Sequence, residues 1–238
     1  MGNKNLLVVG AHSADFVWRA AGTIAVTTSQ GGSATVLALS YGERGESGEL
    51  WKEPNQTLEN VKRIRHAEAA AAASAVGATF RCLDLGDYPL NITDAAMEQL
   101  VSLFQDMQPH IVLTHTPVDP FNPDHPAASQ AVQKARLLAS GAGVASAFKR
   151  IIPPDLFFLE PHQPELSEFM PNTFVDITPV MEQKVKAMQA MHAQGYLQSY
   201  YTELASRRGN HARRISGMEE VKYAEAFQRT LPWVVKSL

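Results

Sequence analysis

Short apolar runs alternate along the chain with longer segments whose apolar positions repeat as on one face of a helix. Residues 6–10 form a continuous apolar run closed by a glycine, which is typical of a strand buried on both faces of a parallel sheet. Over residues 16–30, apolar residues return every three or four positions, and two glycines follow. The chain therefore begins with a predicted strand and helix of a parallel α/β unit.

The same alternation continues along most of the chain. The sequence predicts helices near residues 57–77 and 93–107 and after Pro126, and strands over residues 34–40, 79–85, 110–114, 155–159 and 173–177. This order implies right-handed crossovers and helices on both faces of the sheet. Because no Pro/Gly/Ser-rich linker divides the chain, we expect a single domain over residues 1–238 with a Rossmann-like α/β fold and a mostly parallel sheet. After Pro179 the pattern predicts a polar helix but leaves the Tyr-rich stretch 196–201 and the basic segment 207–214 unassigned.

Composition and charge narrow the class of protein. Of the 238 residues, 45% are hydrophobic and 19% are charged, which is typical of a soluble globular chain. With 21 basic and 24 acidic residues the net charge is -3, so no general positive field attracts nucleic acid or anionic lipid. The single cysteine excludes an internal disulfide, and no apolar run reaches the ~20 residues that span a bilayer. We expect a cytoplasmic protein without nucleic-acid or membrane partners.

Polar side chains follow the predicted strands directly. Because ligands of parallel sheets bind beyond the carboxyl ends of the strands, these side chains are expected to meet at one edge. They are His12, Asp15, Glu43, Arg44, Glu46, Asp84, Asp87, His115, Asp119, Asp124, His125, Glu160 and His162. No G-x-G-x-x-G, P-loop or G-x-S-x-G motif accompanies them, and Cys82 lies within a predicted strand, which favours a structural thiol over a nucleophile.

Three of these residues have the pattern of metal ligands. His12 and Asp15 lie three positions apart at a strand-to-helix turn, and His125 lies in a segment with two prolines. Two imidazoles and one carboxylate match a catalytic zinc site with one open position, and they also suit Mn, Fe or Co. Each histidine alone would be explained as a hydrogen-bonded loop residue. Their joint position at strand ends predicts a divalent metal site.

The surrounding residues resemble a known family. Residues 11–16, a helix with Arg65 and Glu68, and the motif Asp-His-Pro at 124–126 are similar to the zinc-dependent PIG-L/LmbE-type N-deacetylases. The resemblance covers most of the chain and implies the PIG-L/LmbE-like fold.

This resemblance implies roles for individual residues and also shows two departures. The family's opening motif reads Ala-His-Pro-Asp-Asp-Glu, so His12, Asp15 and His125 are the implied zinc ligands. The carboxylate that activates water in those deacetylases falls at Ala14, which cannot accept a proton, and the last Glu of the motif is Phe16. These departures argue against ordinary deacetylation.

Four segments resemble a group of hydratases within the same superfamily. Residues 11–20, 42–47, 86–89 and 160–165 are similar to the 4-oxalomesaconate hydratases of bacterial gallate and protocatechuate catabolism. The resemblance implies a zinc-dependent hydro-lyase whose substrate is a small oxo-polycarboxylate. Water would add to the C=C bond of 4-oxalomesaconate and give 4-carboxy-4-hydroxy-2-oxoadipate.

The chemistry of hydration assigns candidate roles. The reaction requires a base for the water, a Lewis acid for the developing enolate and an acid for the adjacent carbon. We take the metal as the Lewis acid and Glu46 as the base, and the resemblance to the hydratases points to Glu46 as well. His162, flanked by prolines, is the candidate acid or substrate-positioning group. Arg44 and Arg19 are the candidates that bind substrate carboxylates.

Other polar residues receive supporting roles. We expect hydrogen bonds to the metal ligands from His115, Asp119 and Asp124. A further basic group consists of Arg207, Arg208, Arg213 and Arg214. For most of its members we favour a solvated face or an oligomer contact over substrate binding. We expect the protein to form a homo-oligomer.

Two other functions stay open at this point. One is a zinc-dependent N-deacetylase that uses Glu46 or Asp124 in place of the missing carboxylate. The other is a sugar- or acid-binding module that has lost catalysis with Ala14. Arg44 and Glu46 discriminate the hydratase from both alternatives. A binding module needs no base, and a deacetylase of neutral amino sugars needs no arginine-rich pocket.

Overall fold

Seven strands form one sheet in the computed structural model, which describes residues 4–144 and 148–234. The strands are β1 (Asn5–Gly10), β2 (Ser33–Ala38), β3 (Thr79–Cys82), β4 (Ile111–Thr114), β5 (Asp155–Leu159), β6 (Thr173–Asp176) and β7 (Ala224–Arg229). Their order is β3-β2-β1-β4-β5-β7-β6. The first five are parallel, whereas β7 is antiparallel to both β5 and β6. The predicted mostly parallel, Rossmann-like sheet is confirmed.

Helices cover both faces of this sheet. They are α1 (Asp15–Ser29), α2 (Leu58–Ala75), α3 (Asp94–Met107), α4 (Asp124–Ser140), α5 (Met181–Gln189) and α6 (Gln198–Ser216), with short 3-10 helices at Leu50–Lys52, Pro164–Leu166, Thr178–Val180 and His192–Leu197. Leu6 and Val8 of β1 pack in one core with α1, α2, α5 and α6, whereas Leu7 and Val9 pack in a second core with α3 and α4. Strand β1 is thus buried on both faces, as its unbroken apolar run predicts.

The C-terminal third differs most from the sequence prediction. Strand β7 was not expected, because its polar residue Glu225 interrupts the apolar pattern, yet this side chain is buried. The Tyr-rich and basic stretches belong largely to one helix, α6. Strands β2 and β3 end two and three residues earlier than expected, at Ala38 and Cys82. The ends of the predicted domain, residues 1–3 and 235–238, lie outside the described residues.

The sheet order creates a crevice at the carboxyl ends of β1 and β4. These strands are neighbours, but the helices that follow them, α1 and α4, pack on opposite faces. Such a switch point is where open α/β sheets bind their ligands. Among the described residues, no helix is long and apolar enough to cross a membrane.

Candidate metal centre and active-site cavity

The predicted metal ligands meet in the crevice between two helix N-termini. His12 and Asp15 follow β1, and His125 lies in the first turn of α4. Nδ1 of His12 lies 3.7 Å from Oδ2 of Asp15, and Nε2 of His125 lies 3.5 Å from Oδ1 of Asp15. All three residues are buried. The fold therefore brings together three side chains from two distant parts of the sequence.

Glu46 joins this cluster from the loop after β2. Its Oε1 atom lies 3.1 Å from Nδ1 of His12 and 3.9 Å from Nε2 of His125. One potential ligand atom from each of His12, Asp15, Glu46 and His125 lies within 4.8 Å of the others. The residue selected from the sequence as the base thus lies directly beside the three predicted ligands.

Asp87 holds the loop that carries Glu46 through backbone hydrogen bonds. The buried carboxylate accepts hydrogen bonds from the backbone N–H groups of Arg44, at 3.0 Å, and of Gly45, at 2.7 Å. A side chain at position 45 would collide with the ring of Tyr88, so glycine is required for this close approach. These contacts fix the backbone next to Glu46.

Two buried imidazole nitrogens in the cluster make no hydrogen bond. They are Nε2 of His125 and Nδ1 of His12, which lies close to Glu46 but outside hydrogen-bond geometry. An unpaired buried polar atom is costly unless a ligand satisfies it. Imidazole nitrogens beside carboxylates are a donor set that zinc and related divalent ions prefer. The residues present therefore fit a divalent metal ion.

Two aspartates contact the predicted histidine ligands at the ring nitrogens that face away from the cluster. Oδ2 of Asp119 lies 2.7 Å from Nδ1 of His125, and Oδ2 of Asp124 lies 3.2 Å from Nε2 of His12. In each case the carboxylate contacts the ring nitrogen opposite the one that faces the cluster. Carboxylates in this position fix the tautomer and the orientation of a metal-binding imidazole.

His115, directly after β4, contacts Asp15, the third predicted ligand. Its Nε2 atom lies 3.0 Å from Oδ2 of Asp15, and its ring stacks on that of His125 with centroids 4.0 Å apart. Burial, followed by the charge of His125, lowers the pKa of His115 to about 4. A neutral His115 thus packs against Asp15 and His125 without adding positive charge.

The electrostatics of the cluster favour ionised carboxylates. Burial raises the pKa of Glu46, but the charge of His12 outweighs this effect and brings the pKa to about 2. Burial acts in the same direction on Asp15, where His115 and His125 outweigh it and hold the pKa well below its usual value. The site therefore presents two negative carboxylates at neutral pH.

A cavity of about 400 Å³ opens beside the cluster. Glu46 and His125 line it together with Arg19 and His162, so four of the seven predicted site residues face the same space. Arg19 is the only arginine among the described lining residues, and its Nη1 atom donates a hydrogen bond to Oδ1 of Asp15 at 2.8 Å. His162 lies 3.5 Å from the hydroxyl of Tyr201, which also lines the cavity.

The other arginines named from the sequence lie elsewhere. Arg44 is about half exposed and its Nη1 atom contacts Glu43 and the backbone of Asp87, so the structure does not bring it into the cavity lining. Arg208 forms an ion pair with Glu160, and both line a different cavity, to which His162 also contributes. Arg19 is therefore the predicted arginine that the fold places at the cavity.

Comparisons with known proteins identify the family. A sequence model of the PIG-L family, described as GlcNAc-PI de-N-acetylase, matches residues 7–136. The chain belongs to the PIG-L family. It is 43% identical to a 4-oxalmesaconate hydratase of Pseudomonas putida, over 99% of this chain and 92% of that protein. It is also 30% identical to a diacetylchitobiose deacetylase of Thermococcus kodakarensis, over 80% of this chain and 70% of the other.

Two solved structures show the same architecture as this chain. The crystal structure of GalB, the 4-carboxy-2-hydroxymuconate hydratase of P. putida, superposes with a TM-score of 0.95 at 43% identity, and 99% of each chain is covered. The conserved protein TT1542 of Thermus thermophilus superposes with a TM-score of 0.78 at 26% identity, over 97% of this chain and 96% of that one. The predicted resemblance to the PIG-L family and to the hydratases within it is confirmed.

Two residues that contact Glu46 were not predicted from the sequence. Asn122 and Gln194 place their side-chain amides 3.4 Å and 3.5 Å from the carboxylate of Glu46. Asn122 lies in the same proline-flanked segment as His125, which was the one available signal. Gln194 follows α5 in the part of the chain without a clear pattern, so nothing in the sequence pointed to it.

Proposed function

We propose that this protein is a metal-dependent hydratase that converts 4-oxalomesaconate to 4-carboxy-4-hydroxy-2-oxoadipate. The observation that carries the proposal is that the cluster has a carboxylate at Glu46 and none at position 14. Ala14 is fully buried in the apolar core and cannot act as the base of a deacetylase. Glu46 instead brings a carboxylate to the ligands from another loop. The similarity over 99% of this chain to a hydratase sequence and to a hydratase crystal structure of P. putida supports the same reaction.

His12, Asp15 and His125 would hold the divalent ion, for which zinc is our choice. When bound, this ion supplies a Lewis acid for the negative charge that develops on the carbonyl group conjugated with the double bond. The two imidazoles and one carboxylate leave room for a further ligand.

Glu46 is the proposed base. Its ionised carboxylate takes a proton from water as the oxygen bonds to the substituted alkene carbon. Largely buried against His12, the carboxylate needs little reorganisation at that moment. The two side-chain amides that contact it add donors which favour its charged form.

His162 is the proposed acid on the adjacent carbon. Partial desolvation, followed by the charge of Arg19, lowers the pKa of the imidazole below 6.5. This makes the protonated ring a stronger acid. Donation of its proton to the carbon completes the addition of water across the double bond.

Arg19 is the proposed partner of a substrate carboxylate. It lines the same cavity as Glu46, His125 and His162, and a guanidinium group binds carboxylates through several N–H donors. Arg44 lies outside the lining and stays a prediction for substrate binding. Action in the cytoplasm, assembly as a homo-oligomer and a single domain over residues 1–238 also stay predictions.

An absorbance assay tests this function. We expect purified protein to remove the conjugated absorbance of 4-oxalomesaconate and to release no acetate from N-acetylglucosamine derivatives. The opposite pair of results would favour the zinc-dependent N-deacetylase alternative.

A further inference from the structure

Arg65 and Glu68 of α2 form an ion pair outside the cavity. Arg65 is fully buried, and its Nη1 atom donates to Oε2 of Glu68 at 2.9 Å. The desolvation cost of two buried charges can exceed their mutual attraction, so the pair by itself contributes little net stability. The remaining hydrogen bonds of the pair lead toward the reaction site.

The pair holds the segment around Gln194 at two points. Oε1 of Glu68 accepts a hydrogen bond from the backbone N–H of Ala193 at 2.8 Å, and Nη2 of Arg65 donates to Oε1 of Gln194 at 2.9 Å. Gln194 is buried and has a non-helical backbone within its 3-10 segment. Its side chain is thus held by Arg65, which is itself held by Glu68.

The opposite end of the Gln194 amide contacts Glu46. Because a guanidinium group only donates, Arg65 fixes Oε1 of Gln194 as the acceptor and leaves Nε2 as the donor. Nε2 lies 3.5 Å from Oε2 of Glu46, which only accepts when ionised. Arg65 also donates from Nε to the carbonyl oxygen of Tyr41, at the start of the loop that carries Glu46.

We propose that Arg65, Glu68 and Gln194 form a positioning network that holds the Glu46 carboxylate in its productive orientation. The inference rests on the proposed function, in which Glu46 takes the proton from water. Without the network the carboxylate keeps its charge but gains rotational freedom. Because a misplaced base slows the bound complex rather than weakening substrate binding, the effect belongs in kcat and not in KM.

Gln194→Leu removes the donor and approximately keeps the side-chain volume. We expect kcat to fall roughly tenfold, as for a lost hydrogen bond to a charged group, with KM within about twofold and metal content unchanged. Gln194→Met, a second variant without the donor, should give the same result. The matched control is Gln130→Leu, at an exposed position of α4, which should retain wild-type kinetics. A rise in KM with kcat unchanged would overturn the proposal and make Gln194 a substrate-binding residue.

The same substitution in a Glu46→Gln background separates positioning from structural support. If Gln194 acts through Glu46, adding Gln194→Leu to Glu46→Gln should change the residual turnover of Glu46→Gln by less than about twofold. An equal loss in both backgrounds would overturn the network. Loss of turnover in Glu46→Gln but not in Gln194→Leu would refute the network alone. Wild-type turnover in Glu46→Gln would refute the base and the network together.

Discussion

Single side chains decide which reaction this site can catalyse. The proposed ligands His12, Asp15 and His125 fit the PIG-L motif, whereas Ala14 stands where that motif has a carboxylate and Glu46 brings one from another loop. As the proposed base, Glu46 would activate water from a position that differs from that of the missing carboxylate. In the proposed function, this difference separates hydration from deacetylation within the family.

Glu46→Gln tests the base most directly at the residue scale. The substitution keeps the shape but cannot accept a proton, and a general base contributes ~10²–10⁴-fold, so we expect kcat to fall by about that factor. Elemental analysis should find the same metal content as in the wild type. Glu49→Gln, at an exposed position of the same loop, is the matched control. Near wild-type turnover of Glu46→Gln with the metal present would place the base elsewhere, with Asp124 the next candidate.

His162 predicts a pH dependence. Since its pKa is lowered, it loses its proton at a pH below 6.5, and an acid that must be protonated becomes less available as the pH rises through that point. We expect kcat of the wild type to decrease with rising pH in this range. His162→Gln should be slower and lack this decrease. A pH profile that is identical in shape for the two proteins would exclude His162 as the acid.

Strands and helices show which structural features the sequence could predict. Runs such as Leu6–Val9 are apolar throughout because both faces are buried, so the parallel strands were readable from hydrophobicity. Strand β7 was not, because Glu225 on it is stabilised by contacts from distant residues. Its carboxylate accepts hydrogen bonds from the backbone N–H groups of Gly22 and Thr23. Its Oε1 atom also forms an ion pair with Nζ of Lys184 at 2.6 Å. Tertiary contacts of this kind leave no local pattern.

This buried pair joins β7 to α1 and α5, and its loss should destabilise the fold. Glu225→Gln leaves Lys184 buried without a counter-charge, and we expect the free energy of unfolding to decrease by about 3–5 kcal/mol. Denaturant titration measures the change, and Glu219→Gln, at an exposed position, is the control. Adding Lys184→Met to Glu225→Gln should restore part of the stability. A Glu225→Gln protein as stable as the wild type would show that the pair contributes nothing.

The whole molecule assembles its site from segments that the sheet order brings together. Strand-end residues could be predicted because parallel strands place their carboxyl ends at one edge. Together with the resemblance to the hydratases, this selected His12, Asp15, His125 and Glu46, which the fold brings together. This reasoning could not tell that Arg44 lies away from the cavity or that Gln194 lies beside it, because both depend on how loops pack.

Metal content tests this assembly. We expect close to one tightly bound divalent ion per chain in the purified protein, and its loss in His12→Ala and in His125→Ala, which remove imidazole ligands. Elemental analysis of all three proteins, with circular dichroism to confirm folding, decides the question. Equal metal in the wild type and both variants would contradict the assigned ligands.

The central claim is that the protein adds water to a carbon–carbon double bond. Conversion of 4-oxalomesaconate in oxygen-isotope-labelled water, followed by NMR and mass spectrometry, tests it most directly. We predict that the label appears on the new tertiary hydroxyl of 4-carboxy-4-hydroxy-2-oxoadipate with the wild type, and at a strongly reduced rate with Glu46→Gln. Unchanged 4-oxalomesaconate in the presence of metal-loaded wild-type protein, or a product without label at this hydroxyl, would contradict the account.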